Sequence, residues 1–261
     1  MKEGLVAREV VMRFGGVVAL DGAAAEVLPG RIVGLIGRNG SGKSTMFNCI
    51  TGFVRPSEGR IELDGVPIGG LPPHRVVRAG IARTFQTPRV DLRATVREAV
   101  LCGFYSLGRS GFVSSVLGLP SAVHEETHLR ERADGVLRQL DLAAVGDLQI
   151  GKLSMGQVRL VEVARGIAAG ARYLLLDEPA AGLTQAERDV LANTIRVVAQ
   201  SGVGVLLVEH NFGFVRALCE SITVLEAGRV LAVGTPREIA SDPRVIETYL
   251  GSEPAALAEP A

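Results

Sequence analysis

"RIVGLIGRNGSGKST", residues 31–45, decides the architecture. "RIVGLIG" is a short apolar run, rich in β-branched residues and bounded by glycine, and it reads as a buried strand entering a turn. "GRNGSGKST", Gly37 to Thr45, then fits G-x-x-x-x-G-K-[ST], and "TMFNCITGF" continues it as a helix. Phosphate binding needs this order. Glycines let successive backbone N–H groups converge on anionic oxygens without Cβ clashes, and the helix N-terminus adds its dipole. Gly37, Arg38, Asn39, Gly40, Ser41, Gly42, Lys43, Ser44 and Thr45 are therefore the candidate nucleotide-binding residues. Lys43 supplies charge to the β- and γ-phosphates, and the Ser44 hydroxyl is a candidate Mg2+ ligand.

Working outward, "YLLLDE" (173–178) carries an apolar strand to its C-terminal end, where open α/β sheets bind their ligands. Asp177 is the second candidate for holding Mg2+, mostly through water. Glu178 stands where a carboxylate could orient or deprotonate a water attacking the γ-phosphate. A GTPase would need a guanine-reading Asn-Lys-x-Asp element, which the sequence lacks. A small-molecule kinase is compatible with these two motifs, but it does not explain "KLSMGQ" (152–157). That stretch has no acid, base or metal ligand and only one charge, Lys152.

The remaining pattern predicts a layered α/β protein. Residues 5–28 read as antiparallel strands with turns near Gly15-Gly16 and Asp21-Gly22, and "GRIELDG" reads as a strand and turn. The 92–150 region is mainly helical, with "EETHLRERADGVLRQLDL" its clearest amphipathic segment. "SMGQVRLVEVARGIAAG" reads as a helix capped by Ser154 and closed by Gly170. Strands alternate with helices through 160–235, which implies a parallel sheet covered on both faces. "SITVLEAGRVLAVG" reads as a hairpin. The expected fold is a P-loop α/β core with an N-terminal antiparallel β subdomain and a helical subdomain inserted at about 88–165. The unit spans 1–251, and 252–261 is a flexible tail.

Composition agrees. Lys+Arg and Asp+Glu both number 28, so no global field draws the chain to nucleic acid. Cys49, Cys102 and Cys219 are too few and scattered for a disulfide framework, which fits a reducing cytosol. The N-terminus lacks the apolar core of a signal peptide. In the most apolar stretch, 99–123, Gly, Ser and Pro recur and Arg109 interrupts, so a spanning helix is not expected.

The phosphate loop, "TFQ" (84–86), "LSMGQ", "LLLDEP" and "VEHNF" (208–212) occur in the order and spacing of ATP-binding cassette ATPases, which the chain resembles from about residue 4 to 250. In that family the turn before the signature helix faces the γ-phosphate held by a second ATPase subunit. The resemblance therefore gives Ser154, Gly156 and Gln157 a role across a head-to-tail dimer, homo- or heteromeric. It places Gln86 where the family senses Mg2+ and water, His210 where a switch histidine meets the γ-phosphate, and Phe14 where an aromatic stacks on adenine. Two positions depart from the common pattern: Met155 replaces a glycine, and Thr184 stands where many members have Asp.

"GIARTFQTPRVDLRATVREAVLCG", "EPAAGL" and "VGTPREIASDPRVIETYLG" look like the larger ATP-binding subunit of branched-chain amino acid importers. The resemblance implies two permease subunits, an external solute-binding protein acting through them, and a peripheral position on the cytoplasmic face of the membrane. Urea, amide or aromatic-acid importers and lipopolysaccharide or lipid exporters share much of the pattern. "HEETH" (124–128) fits H-E-x-x-H, yet no further histidine or extension accompanies it, and a solvent-facing helix start is the expected reading. Arginines 75, 78, 83, 89, 93 and 97 are expected on a solvated face, with docking to a membrane partner as the functional alternative.

Overall fold

Strands Ile32–Ile36 (β3), Tyr173–Asp177 (β7) and Gly204–Val208 (β8) are buried along their whole length, as expected for parallel strands covered on both faces. In the computed structural model, which describes residues 4–105 and 120–250 except the side chains of 120–125 and 249–250, they form the middle of a six-stranded sheet. Its order is β10-β9-β3-β8-β7-β6, with β6 Ile81–Arg83, β9 Ser221–Glu226 and β10 Arg229–Gly234. All neighbours are parallel except the β9–β10 hairpin. The apolar stretch at 106–119, the 252–261 tail and the His124 side chain lie outside the described residues.

Alternation assigns side chains to two cores. Val33, Leu35, Tyr173, Leu175, Leu206 and Val208 face one cluster. Ile32, Ile36, Leu174, Leu176, Val205 and Leu207 face the other. The first cluster is closed by helix α1 (Lys43–Ile50) and by an antiparallel sheet of order β2-β1-β4-β5. That sheet comprises β1 Leu5–Phe14, β2 Val17–Val27, β4 Glu58–Leu63 and β5 Val66–Pro67. Its β4–β5 turn is Asp64-Gly65, both at positive φ (51° and 80°), the geometry that continues the strand twist.

The second cluster is closed by helices α3 Val96–Tyr105, α4 Pro120–Gln139, α5 Met155–Ala168, α6 Gln185–Gln200 and α7 Phe212–Leu218. The short α2, Pro73–Arg78, leads into β6, and α8 Pro236–Ser241 and α9 Pro243–Val245 follow β10. Gly103 lets α3 lie against α5: a Cβ there would stand 2.5 Å from the Arg165 carbonyl oxygen and 2.8 Å from the Ala168 Cβ. Helix α5 starts and stops where the sequence predicts. Ser154 caps it in a reciprocal box with Gln157, and Gly170 follows at φ +70°. Neither α2 nor β6 was anticipated.

Candidate functional site

Parallel β3, β7 and β8 end on the same edge of the sheet, and the chain's polar motifs leave from those ends. After β3 the loop 37–42 turns tightly. A Cβ on Gly37 would stand 2.2 Å from the Leu225 carbonyl oxygen, and Gly42, at φ +105°, would clash with Leu20 and Ala19. Helix α1 begins at Lys43, and its N-cap is Gly42, which has no side chain to accept from the first-turn N–H groups. Those donors and the dipole end form an anion cradle. The Lys43 ammonium is buried and donates to the carbonyls of Gly37 (2.6 Å) and Arg38 (3.0 Å). Burial lowers its pKa, and the charges of Glu178 and Asp177 oppose that shift. Among the described residues the buried Ser41 hydroxyl has no hydrogen-bond partner.

A cleft of about 160 Å3 opens on the loop, lined by Ala19, Asn39, Gly40, Gly42, Lys43, Ser44, Thr45, Glu178 and His210. Residues from three strand ends thus converge on one small polar space. Glu178, just past β7, sits at φ +48°, a strained conformation for a non-glycine residue. Its N–H donates to the Val208 carbonyl (2.8 Å). One of its carboxylate oxygens accepts from Gln86 Nε2 at 2.6 Å, and the other lies 2.6 Å from His210 Nε2. The three residues proposed for catalysis therefore form one hydrogen-bonded chain. Phe14, half-exposed at the β1–β2 turn, is not among the residues lining this cleft.

Ser44, Gln86 and Asp177 offer hydroxyl, amide and carboxylate oxygens, the hard donors that Mg2+ takes. Ser44 lines the cleft, and Asp177 ends β7 with its carboxylate almost wholly buried. This donor chemistry fits the ion.

Several structural residues were not found by motif. Glu209, buried at the end of β8, accepts from the N–H groups of Ala180 (2.7 Å) and His210 (3.2 Å), and burial raises its pKa. It ties the two segments that carry Glu178 and His210. Arg159 and Glu162 form a buried pair on α5. Arg159 donates to the carbonyls of Phe85 (2.8 Å) and Gln86 (2.5 Å), and Glu162 accepts from the Arg89 N–H. The signature helix therefore grips the backbone of the Gln86 loop. The expectation of a solvated arginine face fails at Arg83, whose side chain is buried against Asp177. Arg97 pairs with both Asp134 and Asp147, and Arg89 lies over the Phe85 ring at 4.3 Å.

At the second turn the donors are engaged within the chain. Ser154 Oγ accepts from the Gln157 N–H (3.3 Å), and Gln157 Oε1 accepts from the Ser154 N–H (3.1 Å). The Gly156 N–H donates to Glu187 Oε1 (3.2 Å). The other Glu187 oxygen accepts from the Thr184 N–H and hydroxyl, both at 3.0 Å. Hydrogen bonds from Thr184, Ser154 and Gly156 hold the Glu187 pKa down at about 2. Thr184, the departure from Asp, caps α6 in a box with Glu187.

A phosphate loop after β3, a carboxylate pair at the end of β7 two strands away, and a polar clamp on the second carboxylate define a P-loop nucleotide-binding ATPase. Residues 20–181 match the model of the ABC transporter family, and 229–255 match that of the branched-chain amino acid ATP-binding cassette transporter family. The high-affinity branched-chain amino acid transport ATP-binding protein BraF of Pseudomonas aeruginosa is 39% identical, the match covering 93% of this chain and 95% of that protein. LivG of Escherichia coli K12, described in the same words, is 37% identical with the same coverage. The structure superposes on the ADP conformation of MJ1267, an ATP-binding cassette of an ABC transporter, with a TM-score of 0.84 at 33% identity, covering 96% of this chain and all of that one. A nucleotide-free cassette from an ABC transporter gives 0.83 at 33% identity, over 95% and 98% of the two chains. The chain belongs to the ATP-binding cassette ATPases of ABC transporters. Among the described residues no helix is long and apolar enough to cross a membrane.

Proposed function

We propose that this chain is the ATP-hydrolysing subunit of a branched-chain amino acid importer, bound to the cytoplasmic face of the membrane through two permease subunits. The likeness to BraF and LivG over more than nine-tenths of the chain supports the solute. Residues 1–251 act as the nucleotide-binding domain, with 88–165 as its helical subdomain. Lys43 and the loop N–H groups from Gly37 to Thr45 hold the phosphates, and Phe14 stacks on adenine. Ser44, Asp177 and Gln86 would hold Mg2+, which when bound would screen the phosphate charge. Glu178 takes the proton of the attacking water, while Gln86 and His210 keep its carboxylate aimed at the cleft. Ser154, Gly156 and Gln157 face the nucleotide of a second ATPase subunit, head to tail.

One observation carries the catalytic reading: Glu178 is held at 2.6 Å from both Gln86 and His210 beside the Lys43 cradle. The test is the assembled transporter in vesicles with its solute-binding protein. Leucine, isoleucine or valine should stimulate ATP hydrolysis, and E178Q should abolish that stimulation. Stimulation by urea, amides or aromatic acids instead would replace the solute while keeping the mechanism. Full hydrolysis by E178Q would overturn the mechanism itself.

A further inference from the structure

We propose that Arg83 is a positioning residue for the metal-binding carboxylate, linking Asp177 to the helix that carries Ser44. The inference rests on the reading of Ser44 and Asp177 as Mg2+ ligands. Arg83 ends β6, paired in register with Leu175 of β7. Its Nη2 donates to Asp177 Oδ2 at 2.7 Å. Its Nη1 donates to Asn48 Oδ1 at 2.6 Å, with Thr51 Oγ1 further off at 3.4 Å. Asn48 belongs to α1, five residues after Lys43. One planar guanidinium therefore spans from the carboxylate at the strand end to the phosphate-loop helix.

Burial gives the bridge its rigidity. The two charged side chains are only 8% and 10% exposed, and the guanidinium lies 5.3 Å from the Phe47 ring centre and 5.1 Å from that of Phe85. A desolvated Arg–carboxylate bond is strong and directional, and a lysine could not bridge both acceptors with the same geometry. The Asp177 N–H donates to Thr84 Oγ1 at 3.3 Å, so backbone and side chain of the aspartate are both held. With Oδ2 committed to Arg83, Oδ1 is the oxygen left to face a cation, at a separation from Ser44 set by the bridge.

Two effects of Arg83 oppose each other. Its positive charge repels a second cation near Asp177, whereas its hydrogen bonds orient the ligand. Outer-sphere partners that orient ligands typically change metal affinity ten- to a hundredfold. Because Nη2 is already neutralised by Asp177 at hydrogen-bond distance, orientation should win. The two effects predict opposite signs, so the experiment decides between them.

The test uses the full chain with Mn2+ as the probe and a non-hydrolysable ATP analogue. Calorimetry measures analogue binding without metal, and electron paramagnetic resonance measures Mn2+ binding to the analogue-bound protein. R83M should bind the metal-free analogue within about twofold of wild type and bind Mn2+ about ten- to a hundredfold more weakly. R83K keeps the charge but loses the fork, and N48A removes the far anchor; both should weaken Mn2+ binding in the same direction by less. Unchanged or tighter Mn2+ binding by folded R83M, or an equal loss of metal-free analogue binding, overturns the proposal. Should R83M not fold, R83K and N48A give the same reading, and unchanged Mn2+ binding in both overturns it. A wild-type chain that binds analogue but not Mn2+ would instead overturn the assignment of the metal site.

Discussion

Two of the turns that open onto helix N-termini, those before α1 and α5, are finished differently. At α1 the cap is a glycine with no side-chain acceptor, and Lys43 is folded onto its own loop carbonyls. At α5 the cap is a serine in a closed box, and the Gly156 N–H is held by the carboxylate of Glu187. The first turn is organised to take an anion from solution. The second already has one, from its own chain. Binding a phosphate at the second turn therefore means exchanging one anion for another, while the first needs only Lys43 to turn outward.

The largest expected effect tests the first turn's chemistry. E178Q should lower ATP turnover by about 10²- to 10⁴-fold, the range for losing a general base, with ATP affinity retained. Steady-state phosphate release and calorimetry measure the two. Next, Lys43→Ala should remove a charge-assisted contact of about 1.5–3 kcal/mol and weaken ATP binding by one to two orders of magnitude, read by the same calorimetry. Loss of turnover with unchanged affinity would mean that Lys43 serves only the transition state.

E187Q sharpens the other side of the comparison. Glutamine can keep the box with Thr184 but gives up the negative charge, so ATP-driven pairing of an E178Q background should begin at lower ATP, seen by light scattering. Pairing unchanged by E187Q would show that the internal carboxylate does not compete. The same residue has a pH signature. Its folded pKa is depressed from 4.5 to about 2, so its stabilising contribution is present above pH 4.5 and is lost as pH falls towards 2. Denaturant titrations over that window should show a loss of stability in wild type that E187Q lacks. The smallest effect belongs to Thr184→Ala, which removes an N-cap and should cost about 1 kcal/mol with little change in ATP affinity.

The first turn was legible because its chemistry is contiguous: strand, glycines, lysine and helix follow one another within residues 31–50. The carboxylates at 177–178 and the cap at 154 were legible for the same reason. What escaped depends on pairs distant in sequence. Arg83 meets Asp177 across 94 positions, Arg159 meets Gln86 across 73, and Glu187 meets Gly156 across 31. No periodicity or spacing rule records such pairings, so Arg83 read as one more surface charge. The three-residue β6 escaped because it is too short to show alternation and is a strand only through β7 beside it. Glu209 resembled any strand-end acid until its burial and its two backbone donors were visible.

The bare backbone at Gly103 has a mechanical consequence. With no side chain between them, the 96–105 rod rests directly on the 155–168 rod, near the end remote from Ser154. So close a joint leaves little room for one rod to shift without meeting the other. Even one methyl group there would pry the pair apart and introduce lost motion between whatever leans on residues 96–105 and the glycine at 156.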